Sequence, residues 1–190
     1  MKNRRFIFTC VIALLAVFPV MAQVHSIGIR TSLPAWLLAS PSLGVDVQMG
    51  KRLSLGVNGS FAGCKIKGFD EAYRVGSLGV EGRRFFKGDG EFQGFYLGLQ
   101  ARWIHFNLRN KEPYRHGNMY TAGLLGGYTF VNTRHFGVDV NVGVGYQHRK
   151  YDNYIWYFPD DLPLYRDRTI ENKFGLTQAD VTLVYRFNLK

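Results

Sequence analysis

Eight charged residues recur at alternate positions within stretches that otherwise read as β-strands: Arg30, Asp46, Glu81, Arg83, Arg102, Asp139, Asp180 and Arg186. Four are cationic and four anionic. Their neighbours on the same parity are glycines and small polar residues, among them Gly44, Gly56, Gly79, Gly98, Gly123, Gly127, Gly143 and Gly145. Residues two apart on a strand share a face, so these charges can meet and neutralise one another on one side of a sheet. That chemistry is structural: a network of ion pairs. Catalytic constellations are weaker. The histidines His25, His105, His116, His135 and His148 fall on separate strands and loops, with no HExxH pair and no Cys/His cluster, so neither a metal nor a cofactor is expected. His105 and His148 have no serine beside them in a recognisable motif. Asp160-Asp161 reads as a solvated loop pair, and the glycine-rich stretches lack P-loop or Rossmann spacing. The chain is expected not to be an enzyme; the alternative in that class is a lipid A-modifying barrel enzyme that uses His105 or His148.

The alternation defines the elements. Residues 137–146 place Val or Tyr at every even position and Gly, Asp or Asn at every odd one. Seven further segments alternate in the same way, over 25–32, 42–49, 52–61, 75–85, 94–106, 119–131 and 176–189. Eight strands in series predict an all-β, eight-stranded antiparallel up-and-down barrel, with 176–189 closing on 25–32. The connections 33–41, 62–74, 107–118 and 149–175 read as long. Those at 50–51, 86–91 and 132–136 read as short. This puts trimmed turns at one end and elaborated loops at the other, as in outer-membrane barrels.

The ends of the chain set the compartment. Lys2, Arg4 and Arg5 followed by an apolar run over 6–20 and Val20-Met21-Ala22 read as a signal peptide over 1–22, leaving a barrel domain over 23–190. Removing those three cations lowers the formal net charge from +10 to +7. Cys64 is then the one remaining cysteine, so no internal disulfide is expected.

Two closed barrels fit this pattern. A membrane barrel turns the apolar parity to lipid and the charged parity into a narrow lumen. A soluble periplasmic carrier of the lipocalin kind turns the apolar parity inward around a ligand. Glycines and charges of both signs on the polar parity suit a crowded lumen. The aromatics Phe61, Phe95, Trp103, Tyr120, Phe130, Tyr146, Tyr185 and Phe187 collect towards strand ends on the apolar parity, as interfacial girdles do. We therefore expect a transmembrane barrel in the outer membrane. Its lumen is expected to be plugged by the eight charged residues.

Two loop features suggest partners. Lys65, Lys67, Arg109, Lys111, Arg149 and Lys150 fall in or beside the long loops, where lipopolysaccharide phosphates are the natural anions; an exported barrel excludes nucleic acid. The segment 151–165 carries Tyr151, Tyr154, Trp156, Tyr157, Phe158 and Tyr165 beside Asp and Asn. It is expected either to bind a surface protein or glycan, or to cap the barrel or extend its strands.

Ile29-Arg30-Thr31-Ser32-Leu33-Pro34-Ala35-Trp36-Leu37, Pro41-Ser42-Leu43-Gly44-Val45-Asp46 and Gly50-Lys51-Arg52-Leu53-Ser54-Leu55 resemble the opening of a Bacteroidota domain-of-unknown-function family, DUF3575. Gly94-Phe95-Tyr96-Leu97-Gly98, Gly143-Val144-Gly145-Tyr146, Phe174-Gly175-Leu176-Thr177 and Leu183-Val184-Tyr185-Arg186-Phe187 resemble its later landmarks. The resemblance implies a small outer-membrane barrel of OmpA/OmpX-like architecture, often associated with fimbria gene clusters, and brings no catalytic residues. The aromatic-x-aromatic ending also resembles the signal read by the barrel-insertion machinery. Here Leu189-Lys190 extends beyond it.

Overall fold

The computed structural model describes residues 24–65, 72–87, 93–109, 114–131, 133, 135–157 and 162–188. The leader over 1–22, Lys67, Lys111 and Phe158 lie outside them. The strands are β1 (Val24–Ser32), β2 (Ser42–Met49), β3 (Leu53–Lys65), β4 (Ala72–Phe85), β5 (Gly94–Arg109), β6 (Tyr114–Val131), β7 (Phe136–Tyr157) and β8 (Leu162–Asn188). Each pairs antiparallel with the next, and β8 returns to β1 through Ile29↔Tyr185, so the sheet closes into a barrel. Closure leaves no free edge where β1 and β8 meet.

Paired residues traced round the ring from Ile29 run through Val45, Val57, Val80, Ala101, Ala122 and Tyr146 to Phe174. Ile29 itself meets Tyr185, and 185 less 174 is 11; one of these positions, Thr177, is the extra residue of a bulge, so the stagger is 10. For eight strands this stagger tilts the strands by about 40° and leaves an interior wide enough only for side chains.

The apolar parity faces outward. Val45, Val57, Leu78, Val80, Leu97, Leu99, Leu124, Val142 and Val144 are exposed, while Asp46, Gln48, Glu81, Arg83, Gln100, Thr121, Asp139 and Asn141 are buried. The core is therefore mostly polar; its apolar residues are a small cluster of Phe85, Tyr96 and Leu125 towards the short-turn end, with Ala62 and Val184 apart from it. The Thr177 bulge reverses the parity of β8. Phe174 and Leu176 point outward before it, and Tyr185 and Phe187 after it.

Two expectations are corrected. The barrel ends do not differ through loops of alternating length. Instead β3 to β8 run on at one end until only 66–71, 110–113 and 158–161 separate them. The stretch 149–175, read as a loop, is mostly strand: β7 and β8 pair as far as Tyr157↔Leu162. Above the apolar band both faces of a strand meet water, so the alternation that reveals a strand disappears there while the backbone ladder continues. Tyr151, Tyr154, Trp156 and Tyr157 thus belong to β7 and Tyr165 to β8. The β1–β2 connection holds a one-turn helix, α1 (Leu33–Leu37), whose cap Ser32 accepts from the Ala35 amide and whose first turn holds a proline. Trp36 and Leu37 within it and Leu38 at its C-cap are exposed.

Candidate functional site

The strand alternation brings all eight predicted charges onto the lumen face, and five of them join directly. Arg30 pairs with Asp46 at 3.4 Å and with Glu81. Glu81 also pairs with Arg83 at 3.1 Å, and Arg83 reaches Asp139 at 3.3 Å. Charges alternate along this chain, and each member is nearly inaccessible to water. Asp139, fully buried, also accepts from the Tyr96 hydroxyl at 3.0 Å, the Thr129 hydroxyl at 2.9 Å and the Asn141 amide at 3.1 Å. Arg83 lies over the Tyr96 ring, 4.9 Å from its centroid. A buried charge is tolerable only when its attraction and hydrogen bonds offset its desolvation, and here four donors converge on one carboxylate.

The other three charges are placed differently. Arg102 donates to the carbonyl oxygens of Asn58 at 3.3 Å and Gln178 at 2.9 Å, and Gln178 passes the connection to Asn141 at 2.7 Å. Asp180 accepts from the Ser32 hydroxyl at 2.6 Å. Arg186 is buried with its guanidinium over Gly137. Neutral residues therefore carry much of the network. Gln100, hydrogen-bonded to Thr177 at 2.6 Å, and Gln147, bonded to the Leu176 carbonyl at 2.6 Å, belong to it too. Polar parity alone marks such residues in the sequence. Their partners depend on the stagger of the closed ring.

The lumen glycines make room for this filling. A methyl group on Gly127 would sit 2.5 Å from the Tyr96 hydroxyl, and one on Gly79 2.8 Å from the Asn58 carbonyl oxygen. Methyl groups on Gly56 and Gly143 would overlap Asp46 and Gln100. Above the ion pairs a cavity of about 70 Å³ is lined by Arg30, Ser32, Asn58, Arg102, Asp180 and their neighbours. It has room for about two waters.

The outer face of the extended strands holds a second arrangement. His105 Nδ1 lies 3.0 Å from Asn118 Oδ1, which also accepts from Trp103 Nε1 at 3.1 Å. His148 Nδ1 lies 2.7 Å from Asn172 Oδ1. Both histidines are thus engaged by asparagines rather than by a serine hydroxyl. Arg149, grouped in the sequence with outward-facing cations, instead takes the lumen parity and donates to Gln147 at 2.7 Å. Lys150 is exposed on the outer face, while Lys65 and Arg109 end β3 and β5 at this same end. Tyr151 is held within the sheet by Glu171 at 3.1 Å and by Arg115 over its ring at 5.6 Å. Arg168 pairs with Asp152 at 2.8 Å. Hydrogen bonds from Arg168, and from Lys173 and Tyr151, hold the Asp152 and Glu171 carboxyls below their ordinary values.

A family described as a protein of unknown function, DUF3575, matches residues 7–187. The chain belongs to the DUF3575 family. For this DUF3575 member, no curated protein and no solved structure matches. The match covers every strand from β1 to Phe187 in β8.

Proposed function

We propose that this DUF3575 chain is a non-enzymatic outer-membrane β-barrel that acts as a structural or interaction protein at the cell surface. One observation carries the reading: a charged, side-chain-filled interior inside a broad apolar exterior bounded by two aromatic rings. Phe95, Phe130, Tyr185 and Phe187 form one ring; Phe61, Trp103, Tyr120, Tyr146 and Phe174 form the other. Phe130 and Tyr120 lie ten residues apart on β6. At about 3.3 Å per residue and about 40° of tilt the rings stand about 25 Å apart, the height of a barrel's lipid-facing band. In water such an exterior would be an aggregation surface. A carrier of an apolar ligand needs the apolar parity inside, and here most of the buried inward residues are charged, amide-bearing or hydroxyl-bearing. A lumen this full does not suit a general pore.

Export by the 1–22 leader and docking of Tyr185-Arg186-Phe187 on the barrel-insertion machinery fit this reading. So do the cations we assign to lipopolysaccharide: Lys65 and Arg109, the last residues of β3 and β5 at the upper end, and the exposed Lys150. The extended β5–β8 wall, including the β7 residues Tyr151, Tyr154, Trp156 and Tyr157, is the surface we assign to a protein or glycan partner; Phe158 lies outside the described residues. A fimbria-linked role rests on family resemblance alone. The test is Pro163→Cys in a Cys64→Ser background, labelled on intact cells with a membrane-impermeant maleimide. Labelling together with outer-membrane fractionation supports the reading. Labelling only after lysis opposes it.

A further inference from the structure

The outer-face histidines sit just above the aromatic ring of Trp103, Tyr120 and Tyr146. We propose that His105 and His148 form a pH-gated site for the phosphate groups of an outer-leaflet glycolipid, lipopolysaccharide. This rests on the membrane reading above and names a site for its lipid partner.

Hydrogen bonding sets both imidazoles in one tautomer. Asn118 Oδ1 can only accept, and it already takes the Trp103 indole N–H, so His105 Nδ1 carries the proton shared with it. His148 Nδ1 faces Asn172 Oδ1 at 2.7 Å, and with the amide in this orientation the shared proton lies on Nδ1; here no indole N–H among the described residues anchors the amide as Trp103 does at Asn118. In each ring Nε2 is the atom the asparagine leaves over. When neutral it is an acceptor and does not hold a phosphate oxygen. When protonated it becomes a charged donor while the Nδ1 bond is kept. Protonation therefore adds a phosphate ligand without rearranging the site.

Position selects the ligand. His105 lies on β5 and His148 on β7, with Tyr120 and Asn118 of β6 between them. Two strand spacings separate the histidines laterally by about 10 Å, the length of a disaccharide phosphorylated at both ends. Tyr120, 6.4 Å from the His148 ring, and Trp103, 6.3 Å from the His105 ring, form an amphipathic floor at the level of a sugar headgroup. Of the charged groups on this face, β4 supplies Arg74, two residues from the Gly76 that pairs with His105, β7 supplies Lys150 and Asp152, and β8 supplies Arg168, which neutralises Asp152; Arg74, Lys150 and Arg168 keep their charge at both pH values, so they add to binding without gating it. On β6, His116 packs against His105, with ring centroids 5.0 Å apart. Arg115, Arg149, Glu171 and Lys173 take the opposite parity. Among the described residues no three His, Cys, Asp or Glu side chains gather closely enough to hold a metal ion.

The test uses the full mature barrel folded in detergent, with binding of purified lipopolysaccharide measured at about pH 5.5 and about pH 8. We expect roughly tenfold tighter binding at the lower pH. His105→Gln/His148→Gln should bind at the pH 8 level at both values. Lys150→Gln should weaken binding at both and keep the pH ratio. Enzymatically dephosphorylated glycolipid should show no pH ratio, and inorganic phosphate should compete poorly. Equal binding of native glycolipid at both pH values overturns the proposal, as does a pH ratio that survives the double histidine change. Full competition by inorganic phosphate overturns it as a lipid site. A chain that stays soluble without detergent and never inserts in vesicles overturns the membrane reading instead, and the site with it.

Discussion

Replacing Asp139 by alanine tests the lumen network at its most connected point. The substitution removes the acceptor for Tyr96, Thr129 and Asn141 and one of the two carboxylates paired with Arg83. Breaking a buried pair from one side costs about 3–5 kcal/mol, and each stranded donor about 1–3 kcal/mol. Some relief is available: Arg83 keeps Glu81 at 3.1 Å, and the Thr129 hydroxyl can rotate. Tyr96 cannot follow, because it is wedged against Phe85 at 5.1 Å and under Arg83 at 4.9 Å. The net expectation is a loss of about 4 kcal/mol. Asp180→Ala is the control. Asp180 is half-buried and accepts from Ser32, so its loss should cost only about 1 kcal/mol. Equilibrium urea unfolding in lipid vesicles, followed by tryptophan fluorescence, measures both. A double-mutant cycle with Arg83→Met should give a coupling of about 1–3 kcal/mol to Asp139. If Asp139→Ala costs no more than Asp180→Ala, or the coupling is zero, the ion-pair chain does not hold the barrel together and the reasoning fails.

The same geometry sets further outcomes. Gly127→Val should destabilise by about 1–3 kcal/mol or block folding, because Tyr96 and the Val140 carbonyl fill the space. Gly175→Ala, with open space around it, should cost under about 0.5 kcal/mol in the same unfolding assay. Leu99→Arg, on the exposed apolar face, should cost about 2–4 kcal/mol in vesicles, as a charge at mid-depth does; a change near zero means that face is wet. Asp152 and Glu171 have depressed values, so they stabilise the extended β7–β8 wall above the ordinary carboxylate range and lose that contribution as pH falls through their lowered values. Amide exchange corrected for intrinsic rate should rise there below about pH 4 while the lumen strands stay protected. Asp152→Asn should remove part of that pH dependence.

Much of the barrel is legible in the chain because one physical contrast repeats along it. Val138, Val140, Val142 and Val144 against Gly137, Asp139, Asn141 and Gly143 specify both a strand and its two environments. The contrast is lost where both faces are wet, as in His148–Arg149–Lys150–Tyr151–Asp152, so the upper half of β7 reads as loop. The parity switch at the Thr177 bulge is not anticipated, because 176–189 reads as one unbroken alternation, although Leu176 and Val181 already fall on opposite parities. The helical turn is not expected either: 33–41 reads as a loop, although Ser32 and Pro34 are the residues that start it. Membership of the charge network was legible from parity. Which charges touch was not, because Arg30 meets Glu81 only through the tilt and stagger of the closed ring. The His–Asn pairs required the β5–β6 and β7–β8 registers, which alternation alone does not set.

The central claim is that the apolar outer face of the barrel touches lipid. Nitroxide labels placed singly from residue 95 to residue 103 of β5, in a Cys64→Ser background folded into vesicles, test it directly. We predict that oxygen, which partitions into lipid, collides most at Phe95, Leu97, Leu99, Ala101 and Trp103 and least at the positions between. A water-soluble nickel chelate should be excluded from Leu97, Leu99 and Ala101. If the chelate reaches those three positions freely, the face is in water and the membrane account is contradicted.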